Sequence, residues 1–262
     1  METISINFQI PASWSELSDK QLRYVYQLIA GDYSSDEIKT LCLLRWGSAK
    51  VIGRQDNGSY LLKKGKAIFE VTPLTIAELL PHIAWLGEMS AEPVRPTKLK
   101  HRPAIAADFQ NVTFETYIVV DNLYQGYLST QSDDLLDELA SVLYPGIKIP
   151  LAPDERIAIF YWVASLKDFF ARRYPEFFVR VAPEAPYGDD LQPVTAQSGE
   201  NLLGSSLPNI EEAMNAQIRA LTKGDVTKES EILALDTWRA LTELNAQAKE
   251  YQQLNAQLNA KK

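Results

Sequence analysis

The densest run of aromatic and aliphatic side chains in this chain of 262 residues lies between Thr113 and Phe178, and it constrains the fold more than any other stretch. Phe114, Tyr117, Ile118, Tyr124, Tyr127 and Leu128 come first, followed by Leu135, Leu139, Leu143 and Tyr144. After a proline-bearing turn come Ile157, Phe160, Tyr161, Trp162, Ala164, Phe169 and Phe170. Apolar residues three and four apart line one side of a helix, so the pattern predicts three packed helices over 113–130, 133–144 and 154–174. Pro175 closes the last, because the residue before a proline is pushed out of the helical region.

Upstream, Thr3 to Ile10 alternates strictly, with Ile4, Ile6, Phe8 and Ile10 on one side, as in a half-buried strand ended by Pro11. Ser13 or Ser15 is placed to cap a helix carrying Leu17, Leu22, Val25, Tyr26 and Ile29, stopped at Gly31. Ser34-Ser35-Asp36 caps the next, with Ile38, Leu41, Cys42 and Trp46 along one side and Gly47 at its end. Lys50–Gln55, Ser59–Lys63 and Ala67–Val71 read as a small meander, to which the N-terminal strand is a candidate addition. The turns between them are Asp56-Asn57-Gly58 and Lys64-Gly65-Lys66. Thr75 to Met89 reads as an amphipathic helix with Pro81 placed to bend it, and Ala91 to Arg102 as an exposed loop.

Val181 to Ser206 changes character: prolines and glycines are scattered among polar residues with neither period, over about 25 residues, where ordinary connections are far shorter. The expected organisation is a mostly helical globular domain over 1–180, a flexible linker over 181–206 and a C-terminal helical hairpin arm over 207–262. The fold class is α+β, predominantly helical, with a small N-terminal antiparallel sheet.

An apolar fraction of 46% is enough for a core. A net charge of −8 argues against general nucleic-acid binding. The lone Cys42 forms no intrachain disulfide, which fits a reducing compartment. Met1-Glu2-Thr3 does not begin a secretory signal, and the longest strongly apolar run, Ile157 to Ala164, falls short of the roughly 20 residues of a spanning helix. The expectation is a soluble, cytoplasmic protein with no membrane partner.

Catalytic chemistry finds little to use. His82, His101 and Cys42 cannot assemble the usual zinc ligand sets. Asp133, Asp134, Asp137 and Glu138 lack the glycine-turned spacing of a calcium loop and suit a helix N-terminus. No Gly-x-Ser-x-Gly elbow occurs, and Gly65-Lys66 lacks the rest of a phosphate loop. Cys42 sits on an apolar helix face and reads as packing. Asp121, close to Tyr117 and Tyr124, reads as a core carboxylate satisfied by their hydroxyls rather than as a catalytic acid. No catalytic residue, cofactor, metal or small-molecule substrate is therefore expected, and the chain is not read as an enzyme.

Two features point to partners. Arg95, Lys98, Lys100, His101 and Arg102 cluster in an otherwise acidic chain, either as a solvated loop or as a contact for phosphate or an acidic surface. No aromatic residues suited to base stacking surround them, so nucleic acid is the lesser alternative. The second is the C-terminal pair of helices, over 208–223 and 226–260. At 1.5 Å per residue they would be about 24 and 52 Å long, so the short one covers only the first half of the long one. Trp238, Leu241, Leu244, Ala248, Tyr251 and Leu258 recur three or four apart along the long one, with Asn255 as a polar member of the seam. That seam either docks on the central helices of its own chain or binds another chain.

The stretch from Ile218 to Glu229, with Trp238-Arg239-Ala240-Leu241-Thr242-Glu243-Leu244-Asn245, resembles the C-terminal part of uncharacterised tail-region proteins from phages and prophages of gut Bacteroidota. Phe109, Thr113-Phe114, Tyr117, Tyr124 and Leu143-Tyr144 are similar to the same group. The resemblance implies a tail-assembly chaperone or minor structural protein, with a tape-measure or other tail component, or a second copy, as partner. It also implies a place in the bacterial host cytoplasm or on the virion.

Overall fold

Ser18 and Ser34 each accept a hydrogen bond from the backbone N–H three residues on, while Gln21 and Glu37 reach back to the serine N–H. Both first helices, α1 (Asp19–Ala30) and α2 (Ser35–Trp46), thus begin with a complete capping box. The expected cap at Ser13 or Ser15 is corrected by this pairing. Ser13 precedes a short 3₁₀ turn, Trp14–Glu16, and makes no capping bond, while Ser15 lies inside that turn. The computed structural model describes residues 10–31, 33–47, 49–178 and 210–259. The expected N-terminal strand, apart from Ile10, and the expected linker lie outside these residues.

The meander forms as read. Strands β1 (Lys50–Arg54), β2 (Tyr60–Lys64) and β3 (Ala67–Val71) pair antiparallel in that order. Gly58 and Gly65 take φ of +82° and +61° in the two turns, a region that only glycine enters without strain. Tyr60, Leu62 and Val71 turn inward onto Leu44, Ala49 and Ile76. Lys63, Ile68 and Glu70 face out. The register shifts between Val51 and Gly53, so Ile52 is an extra residue in β1 and stands 45% exposed.

The helix expected over Thr75 to Met89 is divided. Helix α3 (Pro73–Leu79) gives way to a 3₁₀ run, Leu80–Gly87, with Ile83 outside helical geometry. Pro81 supplies no N–H to continue the α-helical ladder.

Two compact units divide the chain. The first holds the described residues up to Ser90, with 94–96 and 152–161. Its main core gathers Trp14, Leu22, Val25, Tyr26, Cys42, Leu43, Trp46 and Ile83. Trp85 stacks on Trp46 at 6.3 Å and meets Trp14 edge-on at 5.8 Å. The indoles of Trp14 and Trp85 donate to the carbonyls of Glu88 and Pro11.

The second unit takes the described residues of 91–93, 97–151 and 162 onward. It contains a two-stranded hairpin, β4 (Lys98–Leu99) and β5 (Arg102–Pro103), followed by α4 (Phe114–Thr130) and α5 (Asp133–Leu143). Helix α6 (Pro153–Arg173) gives residues to both units, changing at Trp162. Next come α7 (Ile210–Thr222), a 3₁₀ turn, α8 (Glu229–Leu233) and α9 (Thr237–Asn259). A Cβ at Gly126 would lie 3.2 Å from Leu135, so the glycine allows α4 and α5 to approach closely. Phe114, Leu139, Leu143, Tyr144, Trp162, Phe170 and Leu241 are fully buried in this unit.

The fold is α+β and predominantly helical, as its periodicities predict. The compact units do not follow the composition-based boundary at 181–206: the described C-terminal helices belong with α4 and α5. Among the described residues, no helix is long and apolar enough to cross a membrane.

Candidate partner-binding surface

The single helix expected over 226–260 is broken at Ala234–Asp236, and the break fixes where α9 starts. Asp236 Oδ1 accepts the N–H bonds of Trp238 and Arg239 at 3.0 and 3.3 Å, and Oδ2 accepts that of Asn111 at 2.7 Å. Phe114 N–H donates to the Leu235 carbonyl at 2.7 Å, while the Thr237 N–H and hydroxyl both donate to the Val112 carbonyl at 2.8 Å. A helix without proline or glycine is interrupted here because these partners outweigh one more turn of ladder.

From this root the seam divides. Trp238 donates its indole N–H to the Asp108 carbonyl at 2.7 Å. Its ring meets Phe169 at 5.8 Å, and the Arg173 guanidinium lies 4.3 Å over it. Leu241 is fully buried and Leu244 is 3% exposed. Asn245 Oδ1 accepts the N–H bonds of Glu176 and Phe177 at 3.0 and 3.1 Å, and the Tyr174 hydroxyl donates to the Trp238 carbonyl at 3.2 Å. Trp238, Leu241 and Leu244, expected to bind a partner, are therefore engaged within their own unit. This corrects the expectation for those three residues.

Ala248 is half-buried, and residues 249–254 and 256–258 beyond it are exposed. Tyr251, Leu254 and Leu258 stand 67%, 58% and 62% exposed. At 100° per residue, Tyr251 and Leu258 lie within about 40° of the Leu244 direction, whereas Leu254 is turned about 80° away. The face that packs at Leu244 thus continues past the packed region, and residues 249–259 carry it for about 16 Å.

The basic segment is more ordered than a solvated loop. Arg95 is half-buried and belongs to the first unit. Lys98, Lys100 and Arg102 lie on the β4–β5 hairpin of the second. Lys100 Nζ donates to the carbonyls of Lys148 and Pro150 at 3.0 and 2.7 Å. Lys148, 48 residues beyond Lys100, is thereby drawn beside the hairpin; sequence reading missed it because nothing local links the two segments.

The acidic candidates also find structural employment. Asp121 pairs with Lys167 Nζ, so its partner is an ammonium and not the tyrosine hydroxyls expected. Burial first, and then the Asp121 charge, raise the Tyr117 phenol well above its usual value. Burial, Asp121 and Tyr127 push that of Tyr124 up to about 12. Asp133 and Asp134 occupy the first turn of α5, while buried Asp137 accepts the Leu151 N–H at 3.0 Å. Burial pushes the Cys42 thiol up to about 12, which keeps it protonated and unreactive near neutrality. Among the described residues, no group of three or more His, Cys, Asp or Glu side chains is placed to hold a metal ion.

No protein-family model, curated protein or solved structure matches the chain.

Proposed function

We propose that this chain is a non-enzymatic assembly protein of a phage or prophage tail, acting in the bacterial host cytoplasm, that captures a helical segment of a partner on the distal face of α9. The observation that carries the reading is the continuation of the Leu244 face into exposed Tyr251 and Leu258. An amphipathic partner helix laid against such a face would bury apolar side chains worth about 1.5–3 kcal/mol each when fully covered. The likeness of Ile218–Glu229 and Trp238–Asn245 to tail-region proteins supports a tape-measure or other tail component as that partner.

The test is co-purification with the tail-tube and tape-measure proteins of the same phage or prophage. Replacing Tyr251, Leu254 and Leu258 together by serine is expected to abolish capture while the circular dichroism and melting of the chain stay unchanged. Capture that survives this triple replacement would overturn the reading. Leu241 and Leu244 are unsuitable for the test because they are core residues.

A further inference from the structure

The β4–β5 hairpin and the segment after α5 converge. Lys100 holds the Lys148 and Pro150 carbonyls, and the Arg102 guanidinium carbon would lie 3.4 Å from a Cβ at Gly146. Lys98, Lys100, His101, Arg102 and Lys148 are all exposed, and segments 97–105 and 144–152 contain no Asp or Glu. Two carboxylates reach the second segment: buried Asp137 accepts the Leu151 N–H at 3.0 Å, and Glu155 accepts the Ala152 N–H at 2.9 Å. Within the patch Ile149 stands 50% exposed. Lys100 and His101 occupy the hairpin turn at φ of +44° and +66°, where asparagine and glycine would be relaxed. Strained backbone of this kind concentrates at functional sites.

We propose that this patch binds an acidic protein segment bearing an aliphatic side chain, the carboxylates meeting Arg102 and Lys148 and the aliphatic group covering Ile149. Charge complementarity in a chain of net charge −8 favours a short acidic peptide, since a long polyanion would be repelled by the molecule as a whole. The exposed large apolar side chain in the patch is aliphatic and offers no ring for base stacking. This inference stands independently of the reading of α9.

The experiment uses the full chain and a fluorescein-labelled peptide of glutamates with leucine at every fourth position, followed by fluorescence anisotropy. Saturable binding that weakens as salt is added is expected. Lys148→Glu should lower affinity about tenfold or more, and Ile149→Ser should lower it for this peptide but not for an all-glutamate one. Arg102→Gln carries the test should Lys148→Glu alter the melting temperature. The proposal is overturned by absent saturable binding, by affinity unchanged in both charge variants, or by tighter binding of a single-stranded oligonucleotide of equal charge. That last outcome would assign the patch to nucleic acid.

Discussion

Asn245 accepts two backbone N–H bonds, from Glu176 and Phe177, just beyond the end of α6. Alanine there would take the acceptor from the part-buried Glu176 N–H, at a cost of about 1–3 kcal/mol, while the Phe177 N–H keeps the Tyr174 carbonyl at 3.2 Å. Urea denaturation should show Asn245→Ala destabilised by that amount and Asn245→Asp, which keeps the oxygen, much less. The tyrosines beside Asp121 give a second prediction at this scale. Their folded pKa values lie above the ordinary 10.0, so the folded state holds these protons more tightly than the unfolded chain does. Their contribution to stability is therefore fully present below pH 10 and declines as pH rises through about 12, where the folded Tyr124 titrates. Burial also raises Tyr24, Tyr127 and Tyr161, so ultraviolet phenolate absorbance should show Tyr117 and Tyr124 among a group ionising later than the exposed tyrosines, and chemical denaturation should show stability falling over the same interval.

Helix α9 separates two behaviours along one stripe, and substitution should expose the division. Leu241→Ala removes a fully buried side chain and should cost about 2–5 kcal/mol. Tyr251→Ser, at a position 67% exposed, should stay within about 0.5 kcal/mol of the parent. Thermal unfolding of the two variants checks both. The stripe itself was legible, because three- and four-residue spacing reports a face without reporting how far a neighbour extends along it. The near-repeat of Leu244-Asn245-Ala246-Gln247 at Leu254-Asn255-Ala256-Gln257 makes the limit plain. Leu244 is 3% exposed and Leu254 is 58% exposed, so position relative to the body decides what the local sequence cannot. Helices α4, α5 and α6 and the meander were readable for the opposite reason. Their caps, turn glycines and apolar periods are all local signals, and they agree with the packing they enter. The break before α9 was hidden because Asp236 is answered by Asn111, 125 residues away.

At the scale of the whole molecule, composition marked a boundary at 181–206, whereas packing groups the C-terminal helices with α4 and α5. Contacts between distant segments, such as Thr237 to Val112 and Tyr174 to Trp238, leave no trace in local composition. The same blindness hid Lys148 from the basic cluster and Lys167 from Asp121. The candidate site was therefore half readable: the sequence supplied the residues of the α9 face, and only packing shows which remain available. The stitches at Asp236 and Thr237 give that outcome a mechanical meaning. Helix α9 is a cantilever held from Thr237 to Asn245, with Leu258 about 20 Å beyond that last anchor. A partner gripping the tip would be held at an angle dictated by that anchored length, and a pull upon it would be borne first as torque on the Leu244 and Asn245 contacts.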